Sequence, residues 1–116
     1  MVNPQAGAEV LLKAHELVTG DRQHAYSHPY DDYSRTVSIF NALKGEDVMT
    51  AEDGVLFMLC VKLSRLSHEL DNGLDVPDNT VDAAGYLACL AMVRARVKAT
   101  ETGLKGIFQK AKSWVS

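Results

Sequence analysis

Residues 50–93 constrain the fold of this chain most strongly, because they predict two long helices joined by a short acidic turn. Thr50 and Asp53 resemble a capping box at the start of the first helix, which is expected to end near Leu70. The second helix is expected from about Asp78 to Val97. One core face of the first helix is predicted to consist of Leu56, Leu59, Leu63, Leu66 and Leu70. Helices joined by so short a turn pack antiparallel, so the sequence predicts a central antiparallel pair.

Three further amphipathic segments are predicted, two before this pair in the sequence and one after it. Their expected bounds are residues 5–19, residues 31–44 and residues 104–116, and residues 100–103 break the helical pattern before the last one. Gly20 and Gly45 are expected to stop the first two helices. The last segment is expected to dock on the bundle or on a second subunit. The predicted fold class is all-α, an antiparallel four-helix bundle core plus a short C-terminal helix, in a single domain over residues 1–116.

Composition excludes several classes of protein. The formal net charge of −3 argues against a general nucleic-acid binder, which usually has a basic excess. The N-terminus does not resemble a signal peptide, and the longest apolar run, residues 83–93, is too short to span a bilayer. Cys60 and Cys89 lie in apolar helical sequence, which indicates buried reduced thiols in a cytoplasmic protein. No membrane partner is expected.

Charged residues are expected to face each other across the predicted central pair. They are Lys62, Arg65 and Glu69 on the first helix and Asp78 and Asp82 on the second, which also carries Gly85 and Tyr86. Two explanations are open at this point. In the first, Asp82 forms an interhelical salt bridge with Lys62 or Arg65, and Asp78 caps a helix. In the second, these residues bind a ligand. Gly85 in mid-helix costs about 1 kcal/mol relative to Ala and indicates close approach by a helix or a ligand.

Residues 21–30 interrupt the helical pattern and contain two further candidates, Arg22 as a donor and Tyr26 as an aromatic platform for a ligand. His24 and His28 have a spacing that metal sites use. However, Pro29 disfavours helical geometry at His28, so a metal site is not the preferred interpretation.

Taken together, these residues resemble a known family. The string comprises Tyr26, Tyr33 and Phe40, then Lys62-x-x-Arg65, then Asp78-Asn-Thr-Val-Asp82-Ala-Ala-Gly85-Tyr86. It is similar to small bacteriophage proteins related to the all-α nucleotide pyrophosphohydrolases of MazG type and their nucleotide-modification-associated relatives. The resemblance covers about residues 21–93.

The resemblance implies a four-helix core that is often a dimer or tetramer, located in the host cytoplasm if the chain is of phage origin. It also implies Mg²⁺ bound by carboxylates, with water attacking the α-phosphorus of a nucleoside triphosphate. On this chain the implied residues are Asp78, Asp82 and Glu69 for the metal, Lys62, Arg65 and Arg22 for phosphate, and Tyr26 and Tyr86 for nucleotide stacking.

The enzymes carry E-E-x-x-E on one helix and E-x-x-D on the next, and this chain departs from both motifs. Its counterparts are Glu52-Asp53 followed by Leu56, and Asn79 followed by Asp82, so two of the five carboxylates are missing. The expected function is nucleotide binding, with Mg²⁺-dependent pyrophosphohydrolysis depending on an incomplete carboxylate set. The alternative is a non-enzymatic helical protein that acts on a host or phage protein partner.

Overall fold

The computed structural model describes residues 4–20 and 27–115, and their side chains as far as residue 114. Four helices make up this part of the chain, and it contains no strand. They are α1 (Gln5–Thr19), α2 (Pro29–Lys44), α3 (Ala51–Asp71) and α4 (Pro77–Val115). The all-α prediction is therefore confirmed.

Local sequence signals account for most of the helix ends. The capping box is present: Asp53 N–H donates to Thr50 Oγ1 at 3.2 Å, and Thr50 N–H donates to Asp53 Oδ2 at 3.0 Å. Gly45 ends α2 with a left-handed φ of 75°, a conformation that glycine adopts without strain. The start of α2 lies earlier than Asp31, because Pro29 is tolerated in the first helical turn and His28 Nδ1 accepts a hydrogen bond from Tyr30 N–H.

Three pairings show that α3 and α4 are antiparallel. Glu52 of α3 is paired with Arg94, Lys62 with Asp82, and Glu69 with Asn79, so the α4 partner falls in number as the α3 partner rises. The buried apolar residues between and around the helices are Ala14, Val37, Val55, Leu59, Val81, Ala83 and Val93. α1 packs against α4, and α2 packs against both central helices.

The leucine face predicted for α3 is only partly buried. Leu59 is buried and Leu66 half-buried, but Leu56, Leu63 and Leu70 are 48%, 50% and 80% exposed. At about 100° per residue, these five leucines are centred roughly 60° away from Val55, which is fully buried and marks the core direction. The outer three therefore lie beyond the contact with α4. The sequence spaces Tyr33, Val37, Phe40 and Leu43 as an apolar stripe of α2. This stripe is also only partly buried, since Val37 is buried but Leu43 is 82% exposed.

The predicted break at residues 100–103 is wrong, because α4 continues through it to Val115. Gly103 lowers helix propensity but leaves every backbone hydrogen bond intact, and no proline interrupts the segment. Arg96 still contacts α2, through Asp31 at 3.9 Å and the Tyr30 ring at 5.7 Å. We call residues 97–115 the arm; every residue from 98 to 110 is exposed. The arm contributes to the elongated shape, whose extents are 69 × 35 × 25 Å.

Neither cysteine forms a disulfide, as predicted for reduced thiols. Cys89 is half-buried, but Cys60 is exposed, so its predicted burial is wrong for the same geometric reason as for the outer leucines. None of the helices in the described ranges combines the length and hydropathy that a membrane-spanning segment needs.

Candidate functional site

A cleft of about 290 Å³ lies where the four helices meet. It is half open to solvent, and its walls mix apolar and polar groups. They are formed by Leu17, Val18, Ser27, Pro29, Asp32, Tyr33, Lys62, Asp82, Gly85, Tyr86 and Cys89. Ligand sites of proteins combine these features, an apolar concavity with a few polar groups that fix orientation.

An ion pair between the central helices forms one wall of the cleft. Lys62 Nζ lies 2.7 Å from Asp82 Oδ2, with the two side chains 13% and 24% exposed. The prediction of an Asp82 salt bridge with Lys62 or Arg65 is thus confirmed, and Lys62 is the partner. Arg65 is exposed and does not line the cleft, since it lies about 60° further around α3.

Two tyrosines line the cleft, Tyr33 from α2 and Tyr86 from α4. Burial is the main cause that raises the pKa of Tyr33 far above the usual value for tyrosine, and the neighbouring Tyr86, Cys89 and Asp32 raise it further. Tyr33 therefore remains a neutral hydroxyl throughout the physiological range, able to donate and accept hydrogen bonds.

Gly85 is buried and lines the cleft, yet a Cβ atom built on it would meet no atom within 4 Å. The expected close approach by a neighbouring helix is therefore wrong at this position, and the missing side chain instead leaves room in the cleft. Close helix approach occurs at Gly54, where a Cβ would lie 2.9 Å from Val37 Cγ1 and 3.3 Å from Tyr33 Cδ1.

Glu69 and Asp78, which were predicted to bind metal with Asp82, do not line the cleft. Asn79 Nδ2 donates to Glu69 Oε1 at 2.9 Å, and this bond, followed by one from the Val76 backbone, lowers the pKa of the Glu69 carboxyl. Through this hydrogen bond Glu69 stabilises the turn between α3 and α4. Asp78 is exposed in the first turn of α4. Within the described residues, no group of three His, Cys, Asp or Glu side chains could hold a metal ion.

Three of the residues singled out from residues 21–30, Arg22, His24 and Tyr26, lie outside the described residues, so their roles stay predictions. His28 is the N-cap of α2, with its Nδ1 used by Tyr30 N–H.

The cleft also contains residues that the sequence did not assign to a site, among them Asp32, Tyr33 and Cys89. By residue type Asp32 is a candidate helix cap, and by spacing Tyr33 belongs to the apolar stripe of α2. Cys89 could have been found from spacing, because residues 82, 85, 86 and 89 follow one another on a single helical face. No comparable signal places α2 against that face, since the contact depends on tertiary packing.

Comparisons with known proteins give a family and one relative. The family described as a domain of unknown function (DUF6378) matches residues 9–94, a range that contains the described cleft residues and excludes the arm. The Gene 55 protein of Mycobacterium phage L5 is 30% identical over 81 residues, which cover 70% of this chain and 49% of the relative. The chain therefore spans about half the length of that protein. No solved structure matches this chain.

Proposed function

We propose that this protein binds a nucleotide in the cleft between its four helices. The chain belongs to the DUF6378 family, which is described only as a domain of unknown function, so the proposal rests on the cleft itself. The observation that carries this proposal is the Lys62–Asp82 ion pair in the wall of a cleft that also holds the Tyr33–Tyr86 pair and the open space beside Gly85.

The charges of the cleft favour a nucleotide that arrives with Mg²⁺. Lys62 is the one cation among the lining residues, whereas Asp32 and Asp82 are both acidic, so the described lining has a net charge of −1. A bare triphosphate would be repelled by this balance. Mg²⁺ is commonly held by one or two protein carboxylates together with phosphate oxygens, and Asp82 and Asp32 meet that requirement. Lys62, released from Asp82, would then neutralise phosphate charge.

The apolar half of the cleft suits the remainder of the nucleotide. Leu17 and Val18 of α1 present aliphatic surface, and Tyr86 presents an aromatic ring with a hydroxyl edge. A cleft of about 290 Å³ lies at the lower end of the range for small-molecule sites, so it would enclose a base and sugar better than a whole nucleoside triphosphate. The phosphates would extend towards solvent past Lys62.

The first part of the proposal is that the cleft binds a nucleotide, whether or not it also hydrolyses it. Pyrophosphohydrolysis of the MazG type uses several carboxylates, and the described residues contain no group of three that could hold a metal ion. Hydrolysis is therefore the second part of the proposal, to be measured as pyrophosphate release in the same samples. Mg²⁺ would bring its Lewis acidity to the phosphates, while Asp32 and Asp82 are the carboxylates available to hold it.

A thermal-shift panel of nucleoside mono- and triphosphates, with and without Mg²⁺, tests the proposal. Binding to the folded state raises the melting temperature according to mass action. The Lys62→Met variant should lose the response, whereas the matched Arg65→Met variant, which removes an exposed cation outside the cleft, should keep it. Gly85→Leu should also lose the response, because its side chain would fill the cleft.

Absence of any nucleotide response in the wild type would refute the proposal. An equal response of Lys62→Met and Arg65→Met would place the nucleotide elsewhere on the surface. A response that does not need Mg²⁺ would contradict the role given to Asp32 and Asp82.

A second candidate function rests on a different observation, the apolar side chains exposed on α3 and on the arm. These include Leu56, Leu63, Leu70, Ile107 and Trp114, all of them about half exposed or more. Neighbouring exposed apolar side chains are typical of protein–protein contact surfaces. It favours a helical interaction protein, and the two functions are compatible because the cleft and these surfaces are separate.

A further inference from the structure

The arm is an amphipathic helix with an uncovered apolar side. Leu104, Ile107, Phe108 and Trp114 are 50%, 64%, 65% and 79% exposed, and at about 100° per residue they fall within about 120° of one another, on one face. The arm also carries four lysines and one glutamate, so its net charge is +3. The remaining residues, 1–96 and 116, therefore have a net charge of −6, since the whole chain has −3.

A complementary surface lies on α3, on the side turned away from α2. We call it the outer stripe: Leu56, Cys60, Leu63, Ser67 and Leu70, which are all exposed. Their alternating spacing of four and three residues is the spacing by which one helix receives another. Acidic residues flank both ends of the stripe, Glu52 and Asp53 before it and Asp71 and Asp75 after it.

α4 extends this surface. The Arg94–Glu52 ion pair, 3.8 Å between Nε and Oε2, shows which side of α4 adjoins the outer stripe. Leu87 lies seven residues before Arg94, hence on the same side of α4, and it is 54% exposed. The apolar surface therefore spans two helices.

We propose that the arm of one copy packs on the outer stripe of a second copy, and that the exchange is reciprocal. The two contacts would then be equivalent by twofold symmetry, as in most homodimers. The apolar segment of the arm, from Leu104 to Trp114, is about 15 Å long, and the stripe from Leu56 to Leu70 is about 21 Å, at about 1.5 Å per residue. The arm therefore fits along the stripe.

The arm cannot reach the outer stripe of its own copy. Arg94 already lies beside Glu52, at the N-terminal end of α3, and α4 runs antiparallel to α3. Later residues of the unbroken helix therefore extend past the start of α3, away from Leu56 and Leu70. A second arm is also a poor partner, because two arms of +3 would repel each other, whereas the rest of a second copy is acidic.

Sedimentation velocity on the full chain, over a range of concentrations, tests the proposal. The wild type should form a dimer. Ile107→Glu on the arm and Leu63→Glu on the stripe should each raise the dissociation constant about tenfold or more. The matched controls, Gln109→Glu and Ser64→Glu, add the same charge to exposed neighbours that lie off the two apolar faces, and they should leave the dimer intact.

Mixing the two disrupted variants gives the decisive result. An Ile107→Glu copy keeps its outer stripe and a Leu63→Glu copy keeps its arm, so the mixture should recover one intact contact and form a heterodimer. A dimer made by two arms would behave differently, because the Leu63→Glu variant has intact arms and would still dimerise by itself. Failure to recover would therefore overturn the proposal.

Two other results would also overturn it. One is a wild type that remains a monomer at every concentration, including a monomer whose arm binds vesicles of phosphatidylserine. The other is a dimer that survives both Ile107→Glu and Leu63→Glu. Circular dichroism confirms that each variant keeps its helical content, so that loss of the dimer is not mistaken for unfolding.

Discussion

At the scale of single residues, the Lys62–Asp82 pair sets the balance of charge in the cleft. Exposed ion pairs contribute little, whereas removing one partner of a buried pair strands the other charge at a cost of about 3–5 kcal/mol. This pair is mostly but not fully covered, with 13% and 24% of the side chains exposed. The contribution of this pair to the free energy of unfolding should therefore lie between those of exposed and buried pairs.

We expect Asp82→Asn to destabilise the ligand-free protein by about 2 kcal/mol, because Lys62 loses its charged partner. Asp78→Asn is the control: Asp78 is exposed in the first turn of α4, so only a helix-dipole effect of less than about 1 kcal/mol should be lost. Urea denaturation of the three proteins measures the difference. Equal stability of wild type and Asp82→Asn would mean that the pair contributes nothing to folding.

Tyr33 predicts a loss of stability in alkaline solution. Its pKa is raised in the folded state, while in the unfolded chain it is about 10. Below pH 10 both states hold the proton and the contribution is fully present. Above it the unfolded state loses the proton first, so the free energy of unfolding falls as pH rises. Tyr33→Phe should flatten this fall, and a spectroscopic titration should show one fewer late-ionising tyrosine. An unchanged alkaline profile would contradict the assignment.

At the scale of helices, the two buried glycines Gly54 and Gly85 have opposite roles. Gly85→Ala should raise the free energy of unfolding by up to about 1 kcal/mol, because alanine is the better helix former and its Cβ meets no atom within 4 Å. Gly54→Ala should lower it, since a Cβ 2.9 Å from Val37 forces α2 and α3 apart. Chemical denaturation of both variants checks the signs. Stabilisation by both substitutions would show that α2 does not approach α3 closely at Gly54.

The turn between α3 and α4 should be sensitive to acid. The pKa of Glu69 is lowered by Asn79 and the Val76 backbone, so its contribution is fully present above the unfolded value of about 4.3 and is lost as pH falls below it. Glu69→Gln should be less stable at neutral pH and should lose this part of the acid dependence. Thermal melts between neutral and acidic pH measure both effects. A Glu69→Gln profile parallel to that of the wild type would contradict the role of the carboxylate.

Sequence patterns predicted what depends on local geometry and missed what depends on the position of a neighbour. The helix period, the Thr50 capping box and the choice of Lys62 or Arg65 for Asp82 all follow from spacing within a helix. The exposure of Leu63 and the open space at Gly85 do not, because each depends on how far a neighbouring helix extends around α3 or α4. The position of Tyr33 in the cleft was likewise not predictable from spacing, because it depends on how the apolar stripe of α2 packs against α4.

At the scale of the whole molecule, the division of charge is the main feature that local patterns did not reveal. The family match ends at residue 94, close to the point where α4 leaves the bundle. The arm beyond it is basic and apolar, while the rest is acidic with an exposed apolar stripe. One chain thus carries two complementary surfaces that its own unbroken helix keeps apart, and this arrangement favours association between copies.

Deleting residues 98–116 should convert the protein to a monomer without weakening the bundle. The deletion removes four lysines and one glutamate, which changes the net charge from −3 to −6, but it takes away no buried side chain of the described part. A dimer of the full chain gains stability from mass action, so its melting temperature should rise with protein concentration. That of the truncated chain should be independent of concentration and equal the full chain's dilute limit. A truncated chain that melts well below this limit would show that the arm stabilises its own bundle, and one that still dimerises would show that copies associate elsewhere.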